Sequence, residues 1–162
     1  MYATKEQYET YYGEISVAEF SRFIMEAQRY MDILTTGIDN VRKLKVAFPT
    51  EEAESIAYCA CHIVNILKQI SDAEASAASA RGYTEGANGL QGKVVSSVSA
   101  GNESVSYGTS GELSAIDKAI ADPKEKIKLI EGVVRLWLSG VQDSNGVNLL
   151  YMGKYPEVFD VS

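Results

Sequence analysis

The chain has 162 residues, 46% of them hydrophobic, with a formal net charge of -7 and an isoelectric point near 4.8. That suffices for one domain with a real core and is too short to expect two. The summed negative field repels nucleic acid and anionic lipid at long range, which argues against sequence-specific DNA binding. Lys43, Lys45, Lys124, Lys126 and Lys128 are the pieces of any local basic patch, and at their spacings they read as solvated helix faces.

The opening residues, MYATKEQYETYYGE, lack a basic segment followed by an apolar run, so they read as neither a signal peptide nor an anchor, and the protein is expected to stay in the cytosol where it is made. No stretch approaches the roughly 18 apolar residues of a membrane span. The two cysteines, Cys59 and Cys61, point about 200° apart on a helix, so they neither pair nor share a metal. They read as buried free thiols in a reducing compartment.

In chain order, Thr4 caps a short helix with Gln7 reaching back; it carries Tyr8, Tyr11 and Tyr12 and stops at Gly13. Ser16 and Glu19 form a second capping box. Phe20, Phe23, Ile24, Ala27, Tyr30, Met31 and Leu34 then recur at three- and four-residue intervals, predicting an amphipathic helix that ends near Thr35 to Gly37. A helical turn around Asn40 to Val46 leads to Pro49. There Thr50 is expected to cap a long helix whose first turns hold Glu51, Glu52 and Glu54, and whose stripe is Ile56, Ala60, Ile63, Val64, Leu67 and Ile70, continuing to about Ala80.

Beyond Arg81, Gly82, Gly86, Gly89 and Gly92 break any helix. Lys93 to Ser99 and Glu103 to Tyr107 read as two short strands of a hairpin, carrying Val94, Val95, Val98, Val105 and Tyr107. An isolated hairpin is marginal in water, so it must rest on the helices or on a neighbouring chain. Glu112 to Ala121 predicts a short helix with Leu113, Ile116 and Ile120 on one side. Asp122, Pro123 and Glu125 start another, carrying Ile127, Ile130, Val133, Val134, Trp137 and Leu138, which Gly140 closes. The tail has apolar residues without a regular period, and such tails dock onto something. The expected fold is mainly α: a small bundle of about four to five helices with a projecting hairpin or loop and an extended C-terminal arm. As one domain it divides into helices over 1–80, a loop and hairpin over 81–111, helices over 112–140 and an arm over 141–162. Its core should include Phe20, Ile24, Met31, Ile63, Leu67, Val134 and Trp137.

Chemistry is sparse. The one histidine, His62, has no carboxylate or second ligand at a supporting helical spacing and reads as structural or interfacial. There is no zinc spacing, phosphate-binding loop or nucleophile elbow, so neither a catalytic residue nor a metal or other cofactor is assigned. An enzyme using Glu51 or Glu54 with His62 is the remotest of the readings kept open. Ten tyrosines beside one tryptophan point to a contact surface, because tyrosine buries area while keeping a polar end wet.

The order of YATKEQYETYYG, ISVAEFSRFIMEAQRYMDILT, PTEEAESIAYCACHIVNIL, SVSAGNESVSYG, a last helix and NLLYMGKYP resembles the head-tail connector (head completion or adaptor) proteins of tailed bacteriophages, over Tyr2 to Pro156. The resemblance implies a helical structural protein of the virion neck, made in the host cytoplasm and assembled as a ring, commonly of twelve copies. It implies that the ring sits beneath the portal, extends the DNA channel and presents a docking surface to the next neck or tail protein. DNA would only pass through, and no membrane is involved. By position, the portal-docking arm would be Leu149, Leu150, Tyr151, Tyr155 and Phe159. The projecting loop would be Val94 to Tyr107, with Val94, Val95, Val98, Val105 and Tyr107 facing the tail side or the neighbouring subunit. The alternative is a cytosolic helical adaptor binding a host protein through a tyrosine-rich face.

Overall fold

The computed structural model describes residues 1–84 and 114–157. The hairpin expected over Lys93 to Tyr107, with Val94, Val95, Val98, Val105 and Tyr107, lies outside those residues, as does Phe159. The described residues are mainly helical: α1 (Lys5–Tyr12), α2 (Val17–Leu34), α3 (Lys43–Val46), α4 (Ala53–Thr84), α5 (Ala115–Ala121) and α6 (Pro123–Leu138), with a 3-10 turn at Thr50–Glu52. They fall into two compact units, one of Met1–Lys68 with Ile127–Ser162, the other Gln69–Lys126.

Local chemistry sets the helix starts. Thr4 Oγ1 accepts the Gln7 N–H while Gln7 Oε1 accepts that of Thr4 at 2.8 Å, and Ser16 and Glu19 repeat the reciprocal pair for α2. Gly13, at φ 90°, ends α1 in a conformation that disfavours any side chain. Thr50 does not cap α4. It opens the 3-10 turn, in which the Glu52 N–H reaches the Pro49 carbonyl at 3.1 Å, because proline fixes its own φ at -77° and begins the tight turn one step earlier. In the second unit, Ser114 caps α5 by accepting the Asp117 N–H at 3.1 Å, and Ala119 is the buried residue of that helix. Asp122 accepts the Lys124 N–H at 2.8 Å, with Pro123 at the first helical position of α6.

The core of the first unit is built around the first half of α4. Ile56, Cys59, Ala60, Cys61, Ile63 and Val64 are all fully buried, so this stretch is covered on nearly every side, and Cys59 and Cys61 are both interior although they point apart. From α2, Phe20, Ile24 and Met31 pack inward; α6 adds Ile130, Val134 and Leu138; Leu67 completes the expected set. Trp137 differs. It is only half-buried, and its Nε1 is buried without a hydrogen-bond partner among the described residues. Ile63→Ala should lower unfolding free energy by about 2–5 kcal/mol through the cavity it leaves, whereas Ser16→Ala should cost only about 1 kcal/mol as a lost cap; urea denaturation of the two variants measures both.

Candidate functional site

The described part of the expected arm is a strap bound to its own body. Gly140, at φ 81°, turns the chain out of α6, and an antiparallel bridge between Gln142 and Asn148 closes a small loop with Gly146 at φ 80°. Asp143 organises that loop from inside: Oδ1 accepts the N–H groups of Asn145 and Val147, each at 2.9 Å, and Oδ2 accepts the Tyr155 hydroxyl at 2.6 Å. Asp143 is 4% exposed.

Lys43 binds the strap to α3. Although it reads as one of a row of surface lysines, it is fully buried, and its Nζ donates to the carbonyls of Leu149, at 2.9 Å, and of Tyr151. The Tyr151 ring lies 5.9 Å from the same ammonium. Burial pushes the Lys43 pKa below its ordinary value, while the charges of Asp143 and Asp39 oppose that shift. Asp39 ties the strap again by accepting the Tyr155 N–H, and that bond holds its carboxyl below the usual range. Between these ties the Ile38 N–H donates to the Met152 carbonyl at 3.0 Å. A Cβ on Gly37 would stand 2.4 Å from the Gly153 carbonyl, so the two backbones meet where only glycine fits.

These placements sort the expected arm residues. Leu149 is fully buried and belongs to the core; it is not available to a partner without opening the strap. Leu150 is half-buried in a nook with Leu34, Val134 and Met152, Tyr151 is half-exposed, and Tyr155 is held by Asp143. Lys43→Met should remove the donor from both carbonyls and cost roughly 2–3 kcal/mol; chemical denaturation measures the loss, and hydrogen exchange should locate it at the amides of 148–155.

The second feature is an aromatic surface on α1, α4 and α6. Tyr58 lies between Tyr11 and Trp137, with ring centroids 4.4 Å from each, and the Tyr12 hydroxyl meets His62 Nδ1 at 2.7 Å. Tyr58 and His62 stand one turn apart on α4, which is why rings from α1 and α6 can converge there. Burial pushes the Tyr12 pKa up to about 12 and that of His62 down, so both are neutral near pH 7 and share one proton-bearing contact between the hydroxyl and Nδ1.

No protein-family model, curated protein or solved structure matches the chain. The site therefore rests on its own geometry. Glu54 precedes His62 by eight residues, about 12 Å along the helix, and the hydrogen-bond partner of His62 is Tyr12, not a glutamate. Burial raises the thiols of Cys59 to about 12 and Cys61 to about 11, which keeps both protonated near pH 7. Among the described residues no group of three or more His, Cys, Asp or Glu could hold a metal ion. The arrangement is suited to contact: flat rings with polar edges, partly covered and partly wet. Sequence reasoning found the tyrosines but not this grouping, whose one advance signal was the pairing of Tyr58 with His62 on α4.

The lowered pKa of His62 fixes the sign of a pH effect. Between its folded value and the ordinary 6.5 the unfolded chain binds the extra proton, so stability is full above about 6.5 and falls as pH drops below it. Melting temperatures from pH 7.5 to 5.5 should decline, and His62→Gln should flatten the decline; an unchanged slope in that variant would assign it to other groups.

Proposed function

We propose that this chain is a subunit of the connector ring between the portal and the tail of a tailed phage, where it extends the DNA channel and offers the tail its docking surface. The observation that carries the reading is how its resembling segments are used. The ISVAEF segment runs into α2, PTEEAES opens α4 and NLLYMGKYP is the strap, and all three belong to one compact unit despite their separation in sequence. A small helical body with wet-edged aromatic rings and a strap exposing Tyr151 suits a protein whose work is to be gripped by neighbours. A net charge of -7 suits a channel wall past which DNA slides without being held. No helix among the described residues is long and apolar enough to cross a membrane.

On this reading the partners are other copies of the chain in a ring of commonly twelve, the portal protein above and the next neck or tail protein below. The protein would be made in the host cytoplasm and come to rest in the neck of the virion. Tyr151 and the edge of Leu150 are the strap residues offered to the portal; Leu149 acts indirectly, by fixing the strap to the core. The grouping of Tyr11, Tyr58 and Trp137 favours one second reading, a cytosolic adaptor that binds a host protein through that face.

Purified protein mixed with the portal of its phage and imaged by electron microscopy should add a ring of density beneath the portal. Tyr151→Ala should reduce its occupancy several-fold while leaving the melting temperature within a few degrees of wild type. A folded protein that adds no density would sink the connector reading and leave the adaptor. Deleting the chain from Asn148 onward is a poorer test, because it removes both carbonyls that satisfy Lys43.

A further inference from the structure

A groove of about 820 Å³ runs along the C-terminal half of α2. Two exposed apolar side chains line it, Met25 at 71% and Ile33 at 58% exposure, beside Arg29, Arg42 and Lys45. Its one carboxylate, Asp32, is 7% exposed and already engaged, by Lys45 at 3.0 Å and by the Tyr2 hydroxyl. Three cations against one carboxylate leave the groove positive in a chain of net charge -7. Among the described residues Arg29 and Arg42 close no salt bridge. Like-charged copies repel at long range, so a second copy is drawn in only where a local patch of opposite sign waits for it.

The complementary surface is the turn that leads into α4. Glu51, Glu52 and Glu54 are all exposed, and none closes a salt bridge among the described residues. These residues and those of the groove do not overlap, so one copy can use both surfaces at once, each toward a different neighbour. That is a heterologous contact, which closes into a ring when the rotation fits and runs on as a filament when it does not. The level of the two surfaces bears on that choice. Tyr2 stacks on Phe48 while its hydroxyl donates to Asp32, and Lys45 pairs with Asp32 at 3.0 Å, so the chain entering α4 lies beside the C-terminal half of α2. Both surfaces therefore sit toward the C-terminal end of α2, at a similar level along it.

We propose that copies of this chain associate head to tail, the Glu51, Glu52 and Glu54 turn of one copy seated in the groove of the next against Arg29, Arg42 and Lys45, with Met25 and Ile33 covered beneath it. The contact deepens the connector reading and rests on it only for the setting of the ring.

The test treats an equal mixture of 15N-labelled and unlabelled protein with a carbodiimide at low ionic strength, alone and on portal, and maps the mixed-isotope cross-links by mass spectrometry. Lys45 should join Glu51, Glu52 or Glu54 of another copy. The double variants Arg29→Glu/Arg42→Glu and Glu51→Lys/Glu52→Lys should each associate at least about tenfold more weakly in sedimentation, keep the wild-type melting temperature, and regain association when mixed with one another. Raising salt to about 0.5 M should weaken the wild-type contact, since its charges are then screened within a few ångströms. Wild-type protein that attaches to portal with its cross-links elsewhere, or variants that associate like wild type, would overturn the contact and leave the connector reading standing. Cross-links at these residues without any attachment to portal would keep the contact and remove the connector. Wild-type protein that stays monomeric both in solution and on portal would overturn the contact.

Discussion

A buried ammonium group has to be met by acceptors wherever the chain can bring them, and in this protein the group is that of Lys43. The carbonyls of Leu149 and Tyr151 answer it, from positions more than a hundred residues away. With those carbonyls fixed, Leu149 drops into the core, Tyr151 brings its ring beside the ammonium, and the backbone of 152–155 lies along residues 37–39. Asp39 and Asp143 both act on the Lys43 charge and share the task of holding Tyr155. The strap is therefore a part of the folded unit, and what it can offer a partner is limited to the side chains it turns outward.

The middle of the molecule follows a simpler rule. From Ile56 to Leu67, α4 is apolar nearly all round and is covered nearly all round; the side chains it leaves partly wet there are Tyr58, His62 and Asn65. Each meets an aromatic residue of α1: Tyr11 against Tyr58, Tyr12 against His62, and Tyr8 against Asn65. The short first helix thus covers the partly wet strip of this interior stretch. Trp137 packs against Tyr58 in that strip, with its indole N–H unmatched among the described residues.

What was legible in the sequence was local. Thr4 with Gln7, Ser16 with Glu19, and Asp122 with Pro123 each announce a helix start within four residues, and the helices begin where they say. The core periodicity of α2 and α4 was legible for the same reason. Thr50 misled because a threonine followed by glutamates has the look of a cap, and only the geometry of Pro49 makes it a 3-10 residue. Lys43 could not be read as buried: in VRKLKV it is one cation among three, and the carbonyls that justify its burial lie across 106 residues of sequence. The aperiodic apolar tail was expected to dock as an extended arm; its described part lies on its own body, and that depends on the same distant pairing.

The span between Lys43 and its acceptors also bears on the order in which the molecule can be made. Ile130, Val133, Val134, Leu138, Val141 and Leu149 complete a core whose other members lie in the first 68 residues, so that core cannot close before residue 149 has left the ribosome. Until Tyr151 has been synthesised, α2, α3 and the start of α4 stand with an unfilled apolar face and a lysine still hydrated. Such long-range closure belongs to slow folders, and it makes the newly made chain dependent on whatever shields apolar surface in the cell during that interval.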